Sequence, residues 1–181
     1  MSKLEEKKLT STEYYRNSFL HIHEDDVSLP DGGQSKRIVV SHVGAVNVIA
    51  LTEDKQLLLV RQYRYPLGVE TIETPAGKLE IDEAPIFTAK RELEEETGYT
   101  CDGLQQLGIH ASAPGFTNEV LHQFLASGVK KLEQTVAQDE DEFTELLLVS
   151  KDQALMMVAS GEIMDLKTIY AIQYLTLAGL W

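Results

Sequence analysis

The sequence predicts an α+β protein, an α/β/α sandwich with a mixed sheet, preceded by a small antiparallel β unit. Two observations predict it. Short runs rich in Val, Ile and Leu recur between turn signals, as partly or fully buried strands require. Three helical segments, at 84–97, 150–161 and 166–177, interrupt or follow those runs.

Each element has its own reason. Ser18 to Leu29 reads as a strand, Pro30-Asp31-Gly32-Gly33 as a turn, and Lys36 to Ser41 as the returning strand. Gly44 to Leu51 is an apolar run suited to a buried strand. Thr52 to Lys55 turns the chain into a partner strand, Leu57 to Tyr63. Ala84 to Thr97 reads as a helix. Asp82 or Glu83 is its expected cap, Pro85 sits in its first turn, and Gly98 ends it. Ile86, Ala89 and Leu93 form its expected core stripe. Leu104 to His110, Val120 to Ala126 and Phe143 to Val149 read as further strands. Ser150 caps a short helix ending near Gly161, and a last helix runs from about Leu166 to Leu177. The expected division is a β unit at 1–42 and a catalytic domain at 43–181.

Composition narrows the function class. The chain has 181 residues, 43% of them hydrophobic, enough for a substantial core. Its formal net charge of −13, with scattered basic residues, disfavours nucleic-acid partners. No apolar run approaches the roughly 18 residues of a membrane span. The N-terminus has no apolar signal region, and a single cysteine, Cys101, fits a reducing compartment. The expectation is a cytoplasmic protein without nucleic-acid or membrane partners. His21 and His23 share a strand face, a spacing commoner in exposed strands than in metal sites.

The helix at 84–97 breaks two local rules. Four of the five residues from Glu92 to Glu96 are glutamates. Like charges at i,i+3 and i,i+4 destabilise a helix, and the C-terminal end of the dipole disfavours anions. A solvated acidic face is the plain reading. A divalent-cation site is the sharper one, because hard cations take clustered oxygen ligands.

The flanking residues decide between them. Gly77 is followed by Glu83, then Arg91-Glu92-Leu93, Glu95-Glu96, Gly98 and Tyr99. This pattern resembles the Nudix box, Gly-x5-Glu-x7-Arg-Glu-U-x-Glu-Glu-x-Gly-U, where U is bulky and apolar. Every fixed position matches. Tyr99 stands where an aliphatic residue is usual. Pro114, sixteen residues after Gly98, is similar to the mark of the ADP-ribose pyrophosphatases in that family. The phrases Val60 to Pro66, Glu73 to Gly77 and Lys167 to Leu175 resemble the same subfamily. Ala113 stands where many relatives have serine.

The resemblance implies a Nudix fold and a hydrolase cleaving ADP-ribose to AMP and ribose 5-phosphate. It implies Mg²⁺, with Mn²⁺ as a substitute. The carbonyl of Ala76 and the carboxylates of Glu92 and Glu96 are the implied ligands, with Glu95 as a further ligand or orienter. The implied general base lies in the acidic loop 138–142, Glu142 first and Glu140 next. Arg64 is implied for the diphosphate or terminal ribose, Arg37 for the partner subunit's site, Glu119 for ribose hydroxyls, and Phe19 or Tyr15 for stacking on adenine. Relatives swap N-terminal strands, so a homodimer is expected. The rival expectations are another substrate, a GDP-sugar or NADH, and a sensor that binds ADP-ribose without cutting it.

Overall fold

The computed structural model describes residues 2–80, 82–134, 136 and 143–181. In chain order its strands are β1 (Lys7–Arg16), β2 (Leu20–Ser28), β3 (Gln34–His42), β4 (Ala45–Ile49), β5 (Leu57–Arg64), β6 (Val69–Glu73) and β7 (Ala76–Lys78). Helix α1 (Pro85–Thr97) follows, then β8 (Tyr99–Thr100), β9 (Gly103–Ala111), β10 (Val120–Ser127), β11 (Lys130–Lys131) and β12 (Thr144–Val149). Helices α2 (Lys151–Ser160) and α3 (Leu166–Leu177) end the chain.

The chain forms two compact units. The first holds residues 1–44 and 109–121, the second 45–108 and 122–181. In the first unit β1, β2 and β3 make an antiparallel sheet in that order. The two expected strands pair from Leu20–His42 to Ser28–Gln34. Sequence reading missed β1. All ten of its residues are exposed, so it carries no apolar face to recognise. The segment 109–121 joins this unit through the Val40–Thr117 bridge and the Val40 N–H, which donates to the Phe116 carbonyl at 2.7 Å. The His21 and His23 rings lie 4.6 Å apart, tilted by 33°, beside Glu13 and Asp25 respectively.

The second unit is a sandwich. One sheet has the order β7-β4-β10-β9 and another β12-β5-β6. Side chains alternate across a strand, and the two core clusters follow that alternation. Val46, Val48 and Leu58 pack with Ala89 and Leu93 of α1. Ile49, Leu57 and Leu59 pack with Ala154 of α2 and Ala171, Ile172 and Leu175 of α3. Helix α1 therefore covers one face and α2 with α3 the other. The uninterrupted apolar run Leu57-Leu58-Leu59-Val60 fits because both of its faces are fully buried.

Two local expectations for α1 need correction. Its N-cap is Ala84, without a side-chain cap, and Pro85 opens the helix. Glu83 instead accepts a hydrogen bond from the Thr88 hydroxyl at 2.8 Å, and Asp82 adopts a positive φ of 65°. Ile86 is 42% exposed, so the core stripe is Ala89 and Leu93 without it. Gly98 ends the helix in the left-handed region, φ 69°, its N–H donating to the Glu94 carbonyl. Ser150 and Gln153 form the capping box of α2.

Candidate active site

Strand β7 and helix α1 build the site. The loop Thr74-Pro75 carries the chain from β6 into β7, and β7 pairs with β4 at Ala45–Lys78, Val46–Gly77 and Asn47–Ala76. That pairing lays the backbone of Ala76 and Gly77 against the glutamates of α1. The Ala76 N–H donates to Glu96 Oε2 at 2.9 Å. A Cβ built at Gly77 would lie 2.0 Å from the Glu92 carboxyl carbon. Only glycine permits so close an approach.

Glu92 and Glu96 are each only 5% exposed. They share the buried side of α1 with Leu93, while Glu95 is half-buried. Buried carboxylates need compensation. Arg91 supplies part of it. Its Nη1 lies 2.9 Å from Glu92 and 2.8 Å from Glu95, and its Nη2 lies 3.6 Å from Glu83 and 3.8 Å from Glu80. Burial works against the guanidinium charge, but Glu92, Glu95 and Glu83 outweigh it and hold its pKa above the ordinary value. The loop before α1 and the helix itself are thereby tied at one cation.

A second polar cluster sits at the end of β6. Glu73 is 2% exposed. Arg64, at the end of β5, grips it with a fork, Nε at 2.7 Å and Nη2 at 2.6 Å. Thr71 donates to it at 2.6 Å, and Lys167 of α3 donates to it as well. Burial alone would raise the Glu73 pKa. Arg64, Lys167 and Thr71 reverse that and bring it from an ordinary 4.5 down to about 2. The bonds to Glu73 in turn raise the pKa of Arg64. Beside these groups opens a pocket of about 460 Å³, lined in part by Arg64, Thr71, Glu73, Asp165 and Lys167.

Not every expected site residue lies in this unit. Arg37, Pro114 and Glu119 belong to the first unit. Arg37 makes a bidentate pair with Glu6, at 3.0 and 2.6 Å. Pro114 lies in the turn closed by bonds from the N–H groups of Phe116 and Thr117 to the Ala113 carbonyl. Glu119 accepts from the Ser112 hydroxyl at 2.5 Å, with His42 Nδ1 3.4 Å away. Phe19 packs edge-on against His42, and the Tyr15 hydroxyl accepts from Asn17. Glu140 and Glu142, the expected bases, lie outside the described residues. Glu73 had no role assigned from sequence. Its signal is weak, a lone acid closing a strand before Thr74-Pro75, and its partners are remote in the chain.

A model of the NUDIX domain matches residues 41–167. The chain belongs to the Nudix family. A model of the nucleoside diphosphate sugar hydrolase N-terminal domain matches residues 6–40. This Nudix protein is 45% identical to an ADP-ribose pyrophosphatase of Bacillus subtilis (strain 168), over 98% of this chain and 96% of that protein. It is also 45% identical to a methanol dehydrogenase activator of Bacillus methanolicus, over 98% and 96% of the two chains. A crystal structure of an ADP compounds hydrolase shares the fold, with a TM-score of 0.82 and 17% identity over 99% of this chain and 98% of that one.

Nudix pyrophosphatases generally depend on a divalent metal, and the donor set here suits one. Among the described residues no three His, Cys, Asp or Glu side chains are arranged to hold an ion. Glu92 and Glu96 offer two buried carboxylates beside the Ala76 backbone. That suits a hard divalent cation, which takes oxygen ligands and completes its shell with water and substrate oxygens.

Proposed function

We propose that this protein is a Mg²⁺-dependent pyrophosphohydrolase that cleaves ADP-ribose to AMP and ribose 5-phosphate. One observation carries the reading: the buried carboxylates of Glu92 and Glu96 meet the Ala76-Gly77 backbone. The similarity to the B. subtilis ADP-ribose pyrophosphatase, at equal length, supports the substrate.

Glu92, Glu96 and the carbonyl of Ala76 would hold the metal, with Glu95 as a further ligand or orienter. When bound, Mg²⁺ (or Mn²⁺ in its place) neutralises charge on the diphosphate and acidifies the attacking water. Arg64 offers its remaining donors to the phosphate oxygens. Glu142, or Glu140, takes the proton of the water as its oxygen adds to phosphorus. The bridging P–O bond then breaks, and the bridging oxygen leaves with the other phosphate. Glu119 holds ribose hydroxyls, Arg37 contacts substrate in the partner subunit's site, and Pro114 is a further substrate contact.

The residue 1–42 unit joins two copies as a homodimer, with Arg37 reaching the partner subunit's site. Light scattering of the purified chain tests this. We also place the protein in the cytoplasm. No helix among the described residues is long and apolar enough to cross a membrane.

The deciding experiment is turnover with product identification. ADP-ribose and Mg²⁺ should give AMP, and Glu96→Gln should abolish turnover. Undiminished turnover in that variant would remove the α1 carboxylates from the mechanism. A second reading has one specific support, the equal identity to the B. methanolicus methanol dehydrogenase activator. Dehydrogenases commonly use nicotinamide dinucleotides, whose diphosphate offers the same bond. Adding NADH and a GDP-sugar to the assay separates these substrates by kcat/KM.

A further inference from the structure

We propose that Lys167 is a positioning residue for the diphosphate-binding arginine, holding Glu73 so that Glu73 aims Arg64 into the adjoining pocket. This deepens the reading of Arg64 as a diphosphate contact and rests on it.

The geometry has three links. Lys167 Nζ donates to Glu73 and, at 3.0 Å, to Asp165. Glu73 then accepts Nε and Nη2 of Arg64 through both of its oxygens. Among the described residues Nη1 of Arg64 takes no hydrogen bond, so the fork leaves that donor for a ligand. An arginine held at two nitrogens loses little further freedom when the third engages an anion.

Lys167 is not itself the contact. Its side chain is 11% exposed and its bonds run to carboxylates. It acts instead through charge and aim. Arg64 and Lys167 balance Glu73 and Asp165 in the wall of the pocket. Without Lys167 the wall carries an excess negative charge, which repels a diphosphate. Glu73 also loses one of the donors that set its orientation.

The test is a double-mutant cycle on ADP-ribose hydrolysis. Lys167→Gln should raise KM about tenfold and change kcat less than threefold, a loss of uniform binding. In an Arg64→Met background the same change should add little. Lys167→Arg, which keeps the charge, should return KM to within about threefold of the parent protein. Circular dichroism checks folding, and Lys167→Met, which keeps the aliphatic stem, replaces Lys167→Gln if that variant fails to fold. Additive effects, or an unchanged KM in the Lys167 variant, overturn the proposal. An unchanged KM in Arg64→Met overturns the role of Arg64 instead, and shows which of the two readings failed.

Discussion

The carboxylate of Glu92 fills the space that a side chain at residue 77 would need. A Cβ there would sit 2.0 Å from Glu92 Cδ and Oε1, far inside any van der Waals contact. Gly77→Ala must therefore displace either β7 or Glu92. Strand β7 is held by its ladder to β4 and by the Ala76 N–H bond to Glu96. Glu92 is the part that yields. A shift of about 1 Å in a ligand of the reacting group costs on the order of 100-fold in rate. We expect kcat/KM to fall by about that factor and the half-saturating Mg²⁺ concentration to rise. A Mg²⁺ titration of the variant's activity measures both, and an unaltered titration would show that Glu92 has no part in holding the metal.

Arg91 tests the same cluster from its counter-charge. It faces Glu92, Glu95, Glu83 and Glu80. Arg91→Met removes the guanidinium nitrogen that lies 2.9 Å from the buried Glu92. The expected cost is roughly 1.5–3 kcal/mol of stability, the scale of one hydrogen bond between charged groups. In the proposed metal site a divalent ion brings positive charge back to the same carboxylates. Saturating Mg²⁺ should therefore raise the melting temperature of Arg91→Met more than that of the parent protein. Thermal melts with and without Mg²⁺ check this, and equal shifts would count against the carboxylates as the metal's seat.

The contrast between Glu92 and Glu73 shows how far the sequence could be read. Glu92 lies in a local pattern, and a spacing of a few residues on one helix is visible along the chain. Pro85, Gly98 and the run Leu57 to Val60 were legible for the same reason, since caps and buried strands depend on neighbours. Glu73 depends on Arg64, nine residues away, and on Lys167, 94 residues away. No periodicity announces a contact that distant. Strand β1 escaped for another reason. Pairing with β2, rather than burial, holds it in place, and an exposed edge strand leaves no alternation to detect. Ile86 occupies a helical stripe position but is exposed and stays outside the core cluster, which period alone does not reveal.

Leu93 gives a prediction about the core beneath the site. It is fully buried, packed with Val46, Val48 and Leu58 between α1 and the sheets. Leu93→Ala should cost about 2–5 kcal/mol, depending on how far α1 settles into the cavity. Because Glu92 and Glu96 ride on the same turn of helix, settling also moves the carboxylates. Activity should fall more than the folded fraction does. Chemical denaturation and turnover on the same sample separate the two effects.

Glu73 makes stability depend on pH in a stated window. Its folded-state pKa of about 2 lies below the ordinary 4.5 because Arg64, Lys167 and Thr71 stabilise the anion despite its burial. A depressed carboxyl pKa contributes stability that is complete above the unfolded value, and that stability is lost as pH falls towards the folded value. The contribution is therefore full above about pH 4.5 and declines between there and about pH 2. A shift of that size corresponds to roughly 3 kcal/mol. Glu73→Gln removes the titrating group and leaves Arg64 and Lys167 without their shared anion. It should be less stable than the parent protein at neutral pH, and the gap should narrow steadily below about pH 4.5. Urea unfolding of both proteins between pH 7 and pH 3 reads the gap directly. A gap that stays constant through that range would mean that Glu73 titrates normally and that Arg64 and Lys167 contribute nothing to its ionisation.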